Sequence, residues 1–330
     1  MEIRWLKQGR IMKHVHWLLP GQNHNMQSIQ NNILASIRLR AYVSSINTKS
    51  FTFSFGENMP LKTDILVIGK IGNFDLVKRT RNWLNQIKMS NFSNNNIILD
   101  YTDNHLMINS PMTDFYRSVL PFIKIVVTPS KKMSSIFSNF WRGPIETIND
   151  SIEVKISEWR KDKNSKKILW FGHSTNIIYL LNFLKKNQSL LKKYSINIIT
   201  NQVGIDYFNK FNQTDLNFET KLWSIETLVD ESKSCDVCII PSDKSNPKKQ
   251  GAGHNRLITG LALGMPIIAT SLPSYAEFKD YFIDDENEKV KDLLNDPNII
   301  KNKVILAQKK VVPLFDKINL SKKWHKVFNK

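Results

Sequence analysis

Short apolar runs alternate with longer amphipathic stretches along this chain, the pattern of parallel strands covered by helices. His14–Leu19 reads as a first strand that stops at Pro20-Gly21. Ile29, Ile33, Ile37 and Tyr42 then recur at near-helical spacing within 26–46. Phe51–Phe55 and Asp64–Ile68 read as the next strands, the second running into Gly69-Lys70-Ile71-Gly72. Asp75 is placed to cap a helix on which Leu76, Arg79, Trp83 and Ile87 mark successive turns. Ile97–Leu99 and Ile125–Val127 are further buried strands, and Ser130 is placed to cap a helix carrying Met133 and Phe137.

After Pro144–Asp150 comes a polar, charged segment, Glu158–Lys167, with the character of a linker. The rhythm then restarts with a strand at Lys167–Phe171 and a helix over roughly 175–187. Strands follow at Ile196–Thr200, Asp236–Ile240 and Pro266–Thr270, and a polar helical tail over 286–330 is broken near Pro297 and Pro313. Two α/β units are expected, 1–163 and 164–330, and no short-period repeat is present.

Composition narrows the class. Hydrophobic residues make up 41% of the 330, within the globular range. No apolar stretch approaches the ~20 residues that span a bilayer. The start Met1–Lys7 lacks the long apolar run of a signal peptide, so the chain is expected to stay soluble in the compartment where it is made. Two cysteines, Cys235 and Cys238, form no disulfide framework; their C-x-x-C spacing lacks the second pair that a four-ligand zinc site needs. The seven histidines are scattered, without metal-site spacing. The net charge of +18 is compatible with a Lys-rich composition, with attraction to an anionic membrane face, or with nucleic acid. The basic residues never form a long block; clusters such as Lys185-Lys186, Lys192-Lys193 and Lys248-Lys249 stay short, so nucleic acid ranks last.

The richest chemistry lies in 239–270. An apolar strand ends at Pro241-Ser242-Asp243, a polar loop leads to Gly251-Ala252-Gly253, and a helix is expected from near His254. Ligands of open α/β sheets bind beyond the carboxyl ends of strands. Glycines at 251 and 253 let backbone approach a ligand, and the helix start would present free N–H groups to an anion. Arg256 adds paired donors suited to phosphate oxygens, and Asn255 stands beside it. Leu257, Ile258, Leu261 and Ala262 form the apolar face, with Arg256 and Thr259 on another. The plain alternative is an ordinary loop–helix–strand unit with Arg256 solvated. No G-x-x-x-x-G-K-[ST] and no G-x-G-x-x-G occurs, which excludes a standard P-loop or dinucleotide fingerprint.

The run Asn255–Thr270, followed by Leu272–Phe278, resembles the donor-site region of GT-B glycosyltransferases of the group 1/family 4 kind. In those enzymes a strand ends in Pro-Ser, and a helix carries a basic residue, an acidic residue and an Ala-rich turn closing on Gly-x-Pro. Here Pro241-Ser242, Arg256 and Gly264-Met265-Pro266 occupy those places, and Glu277 lies in the small loop that follows. The chain departs from the pattern at Thr259, where the family commonly has the second Glu of its E-x7-E motif; the first Glu has no clear counterpart, although Asp243 lies nearby. Thr259 can hydrogen-bond a hydroxyl but supplies no carboxylate. A divergent donor site is favoured over an inactive one because the rest of the segment is intact.

The resemblance implies two facing Rossmann-like domains with a cleft, and a C-terminal segment near Trp324 packing back on the first domain. It also implies metal- and cofactor-independent transfer from a nucleotide-diphosphate sugar to a saccharide or lipid-linked acceptor. The implied setting is surface-polysaccharide assembly at the cytoplasmic face of a membrane. It places the donor diphosphate against Gly172-His173-Ser174-Thr175-Asn176, where free N–H groups and hydroxyls would suit it; Ser174 or Thr175 equally suits a helix cap. Arg256 would neutralise the leaving diphosphate. Trp223 is a candidate base neighbour or a packing residue. In the first half, Asp103 and His105 follow a strand and are candidates for acceptor-side acid–base chemistry; the alternative is a local turn built by Asp100 and Asp103. The loop Gly21-Gln22-Asn23-His24 is a weaker candidate. The rival functions are a nucleotide-sugar epimerase of the same fold and a non-catalytic binding protein.

Overall fold

The computed structural model describes residues 12–21, 36–72, 75–93, 95–159 and 164–330. The calls on Gln22, Asn23, His24, Ile29 and Ile33 lie outside the described residues. The chain forms two compact units: Met1–Ser151 with Gln250–Gly253 and Asp316–Lys330, and Ile152–Lys249 with His254–Phe315.

The first unit carries six parallel strands: β1 (Lys13–Leu18), β2 (Phe51–Gly56), β3 (Ile65–Ile68), β4 (Asn96–Asp100), β5 (Ile125–Thr128) and β6 (Ile145–Thr147). Their order is β2-β1-β3-β4-β5-β6. Helices α1 (Ser36–Ser45), α2 (Leu76–Phe92), α3 (Pro111–Val119) and α4 (Lys131–Phe137) connect them. Alternate side chains of each strand enter opposite faces. Val15, Trp17, Val67 and Val127 join one core with Leu39 and Val43 of α1 and Trp324 and Phe328 of the final helix. Leu18, Leu66, Ile68 and Leu99 join the other with Trp83 and Ile87 of α2 and Phe115 of α3. Burial on both faces explains the nearly unbroken apolar strands.

Buried polar groups in this unit are cross-linked over long sequence distances. Arg40 on α1, 2% exposed, donates to both carboxylate oxygens of Asp100 at 2.7–2.9 Å, to Asp150 at 2.8 Å and to the Ile148 carbonyl at 2.7 Å. Its guanidinium also lies 5.4 Å from the Trp324 ring centroid, and Trp17 meets Trp324 edge-on at 5.0 Å. Asp100 is thus an internal counter-ion and not part of a local turn. Ser130 caps α4, its Oγ accepting the Met133 N–H at 3.0 Å. Asp75 does not cap α2: its backbone is left-handed at φ 49°, and its side chain makes no capping bond.

The second unit carries β7 (Lys167–Phe171), β8 (Ser195–Thr200), β9 (Asn217–Leu222), β10 (Val237–Ile240), β11 (Ile267–Ala269) and β12 (Ile283–Asp284). They form one parallel sheet ordered β12-β11-β10-β7-β8-β9. Helices α5 (Ile177–Lys186), α6 (Gln202–Phe211), α7 (Ile225–Ser234) and α8 (Asn255–Ala262) follow β7, β8, β9 and β10. β9, absent from the sequence expectation, is an edge strand whose Asn-Phe-Glu-Thr-Lys-Leu sequence keeps none of its residues fully buried. The tail breaks where expected, with short 3-10 turns at Pro297–Ile300 and Val312–Phe315 around α9 (Lys301–Lys310). The last helix, α10 (Lys317–Phe328), belongs to the first unit. Among the described residues no helix is long and apolar enough to cross a membrane.

Candidate functional site

In the second sheet the strand order reverses between β10 and β7, so the loops leaving their carboxyl ends diverge to opposite sides and open a crevice there. The loop after β7 is Gly172–Asn176, and the loop after β10 runs from Pro241 into α8. α8 begins at Asn255, as the sequence suggests. His254 holds its N-cap position without a side-chain capping bond. That ring is instead buried among Tyr275, Phe278 and Phe315, with Nε2 donating to the Ser274 carbonyl at 2.9 Å. The positive end of α8 is therefore not neutralised by its own cap.

Arg256 sits one residue inside that helix. A β-carbon placed on Gly172 would lie 3.5 Å from Arg256 Nη1 and 3.1 Å from the Trp170 ring, so the side chain reaches back across the crevice to the β7 loop. Among the described residues Nη1 is buried and has no hydrogen-bond partner; the same holds for Asn255 Oδ1, Ser242 Oγ, Ser274 Oγ and Trp170 Nε1. Each such atom costs about 1–3 kcal/mol, and their gathering on β7, the loop after β10, the start of α8 and the turn after β11 makes this the candidate site.

The neighbouring sequence candidates separate. Ser174, Thr175 and Asn176 form a 3-10 turn directly against Gly172. Their amides are not free, contrary to expectation: Ser174 N–H donates to Asn201 Oδ1 at 3.2 Å, Thr175 N–H to His173 Nδ1 at 3.3 Å and Asn176 N–H to the His173 carbonyl at 2.9 Å. His173, and neither Ser174 nor Thr175, is the capping residue, and Asn176 before α5 makes no side-chain cap. Asp243 folds onto its own loop, accepting from Ser245 N–H at 2.9 Å and Ser245 Oγ at 2.6 Å; those bonds hold its carboxyl below the ordinary range. Thr259 is half-buried one turn along α8. Glu277 places Oε1 3.8 Å from His254 Nε2. Gly251 and Gly253 group with the first unit. A β-carbon on Gly251 would stand 2.8 Å from Met133, and its carbonyl accepts from Ser130 Oγ at 3.0 Å, so the smallness of Gly251 serves packing there.

Cys238 lies in β10 under Gly260, and Cys235 precedes the strand; both are free and buried. Desolvation pushes the Cys235 thiol up to about 12 and Cys238 higher still, which leaves both as unreactive thiols at neutral pH. Trp223 is half-buried at the end of β9, its N–H on the Thr200 carbonyl at 2.9 Å.

In the first unit the order reverses between β1 and β3. Lys70, in the loop after β3, ion-pairs with Asp103 at 2.5 Å. The His105 ring stacks on Tyr116 at 5.3 Å, with Nε2 3.9 Å from the Asp103 carboxylate, too far for a hydrogen bond. His105 is 7% exposed, whereas the Asp103 side chain keeps 38% of its surface. The Tyr101 hydroxyl accepts the His105 and Leu106 N–H groups at 2.7 and 2.8 Å, which fixes the turn.

Two Rossmann-like units of six parallel strands with flanking helices define a fold class, that of the GT-B glycosyltransferases. Comparison with solved structures gives the particular likenesses. The structure of TarM matches with TM-score 0.57 and 14% identity over 81% of this chain and 55% of that one. The pneumococcal O-GlcNAc transferase GtfA, in complex with UDP and GlcNAc, matches with TM-score 0.56 and 10% identity over 98% of this chain and 63% of that one. WaaG, a glycosyltransferase involved in lipopolysaccharide biosynthesis, matches with TM-score 0.60 and 11% identity over 95% of this chain and 99% of that one. The chain thus spans little more than half the length of TarM and under two thirds of GtfA. No protein-family profile matches the sequence, and no curated protein does.

Proposed function

We propose that this chain is a glycosyltransferase whose second unit binds a nucleotide-diphosphate sugar and whose first unit provides acceptor-side chemistry. The observation that carries this is Arg256 Nη1, buried without a partner among the described residues, against Gly172 at the reversal of the second sheet. Leaving a guanidinium nitrogen so placed is costly, and a diphosphate oxygen is the group that its geometry suits. Arg256 and the uncapped start of α8 would stabilise charge that grows on the departing diphosphate, an effect largest in a site shielded from water.

In the proposed reaction the acceptor hydroxyl oxygen bonds to the anomeric carbon, and the bond from that carbon to the diphosphate breaks. The nucleoside diphosphate leaves with the electron pair. Asp103, the more exposed of the acceptor-side pair, is the proposed recipient of the hydroxyl proton, held by Lys70 and with His105 behind it. Thr259 and Glu277 would orient donor hydroxyls, with Gly253 and Asn255 flanking the donor. No resident metal or cofactor is required by this scheme. That GtfA was solved with UDP and GlcNAc and that WaaG acts in lipopolysaccharide biosynthesis supports a sugar-nucleotide donor and a role in surface-polysaccharide assembly. The charge of +18 supports peripheral attachment to an anionic cytoplasmic leaflet bearing lipid-linked acceptors.

Calorimetric titration with UDP, GDP and ADP, followed by turnover assays with and without saccharide acceptors, tests the reading. Binding of one nucleoside diphosphate is expected, weakened about 10- to 100-fold in Arg256→Ala. Unchanged affinity in that variant would remove the site. Binding combined with conversion that needs no acceptor would favour an epimerase, and binding without any turnover a non-catalytic protein, the reading to which Thr259 lends weight.

A further inference from the structure

The Gly172–Asn176 turn is reached by a second cation, delivered by a different segment from Arg256. Pro247–Gln250 forms a single helical turn in the loop after β10, and Lys249 Nζ lies 2.8 Å from Asn176 Oδ1 and 5.3 Å from the Tyr179 ring centroid. Asn246 on the same loop donates to the Tyr179 hydroxyl at 3.1 Å, which fastens this loop to the first turn of α5. Asn176 immediately precedes that ten-residue helix, so the ammonium stands at the helix's positive end, where a cation is disfavoured and an anion is welcome. Arg256 Nη1, buried and unpartnered among the described residues, stands at the other end of the same five-residue turn. The amides of Ser174, Thr175 and Asn176 are already engaged, so charge recognition at this turn falls to side chains.

We propose that Lys249 is a second diphosphate-binding residue. In the free chain its ammonium rests on Asn176 and the Tyr179 face; when a nucleoside diphosphate binds, it transfers to an oxygen of one phosphate while Arg256 holds the other. This deepens the donor-site reading and rests on it. The two cations differ in kind: both are half-buried, but Arg256 presents a planar fork with Nη1 enclosed, whereas Lys249 carries a point charge on a flexible stem that can follow a phosphate. A ligand with one phosphate needs only Arg256, and one with two engages both.

The test is calorimetric titration of the whole chain with the best-binding diphosphate among UDP, GDP and ADP, and with the matching monophosphate. Lys249→Met is expected to weaken the diphosphate about tenfold and leave the monophosphate unchanged. Lys249→Arg should retain most of the diphosphate affinity, and an unchanged unfolding midpoint in both variants shows that the fold is intact. Full diphosphate affinity in Lys249→Met, alongside loss in Arg256→Ala, overturns the role of Lys249 and leaves the donor site standing. Equal weakening of mono- and diphosphate also overturns it, because the effect then is not specific to the second phosphate. If the unaltered chain binds no nucleoside diphosphate, both readings fall.

Discussion

Each unit holds an arginine beneath the carboxyl ends of its sheet, and the two are treated in opposite ways. Arg40 in the first unit is saturated: Asp100, Asp150 and the Ile148 carbonyl take its donors, and Trp324 covers its face. Arg256 in the second unit keeps a buried nitrogen without a partner among the described residues. A fully compensated internal charge serves the fold, whereas a buried donor nitrogen left unpaired costs stability. The same side chain thus serves the fold in one sheet and, on the proposed reading, recognition in the other, and only its partners tell them apart.

The widest separation between the two should appear on truncation. Arg40→Met is expected to lower unfolding free energy by about 3–5 kcal/mol, because Asp100 and Asp150 are left buried without their counter-ion. Chemical denaturation followed by fluorescence would show it; a change within error would mean that Arg40 is no keystone. Asp100 sharpens the point, since burial alone pushes its carboxyl up and Arg40 opposes that shift.

The first unit should also carry a pH dependence set by a buried histidine. His16 in β1 is 1% exposed, its Nδ1 is 2.7 Å from Ser54 Oγ, and desolvation lowers its pKa from 6.5 to about 4. The folded state therefore binds the proton less readily than the unfolded chain. The stability due to neutral His16 is complete above about pH 6.5 and is lost as pH falls toward 4, by at most ~3 kcal/mol. His14, shifted in the same direction by burial, adds to the trend. Thermal unfolding midpoints of His16→Gln should be flatter than those of the unaltered chain between pH 6.5 and 4; parallel curves would remove His16 as the cause.

The smallest effect is expected at the other arginine. Arg256→Met should leave stability unchanged or raise it by up to about 1 kcal/mol, since an apolar side chain removes an unsatisfied donor. A loss as large as that of Arg40→Met would show that Arg256 is a structural residue after all and would collapse the contrast.

Several of these features were open to inspection in the chain itself. The apolar β10, the helix start near His254 and Arg256 on its first turn follow from periodicity and residue chemistry, and each is found in place. Strands with polar, half-exposed faces were not visible in that way, β9 above all, because an edge strand needs no apolar run. Lys249 showed only as half of a short basic pair, with nothing local to distinguish it from Lys248. The closure of the Ser174 amide was equally hidden, since it depends on Asn201, which arrives with the next strand, whereas Thr175 and Asn176 close locally on His173.

What the sequence determined by itself is the local order: where the apolar strands and the helices beside them fall, that their sheets are parallel and buried, and which residue types could meet a phosphate. Periods of two and about 3.6 residues are imposed by backbone geometry and need no distant partner. The tertiary structure alone decided which charges are spent and which are kept. Arg40 meets Asp100 across 60 positions and Asp150 across 110, while Arg256 is brought to Gly172 by the reversal of strand order. Partnership of that kind depends on where the sheet brings segments together, and no local pattern records it.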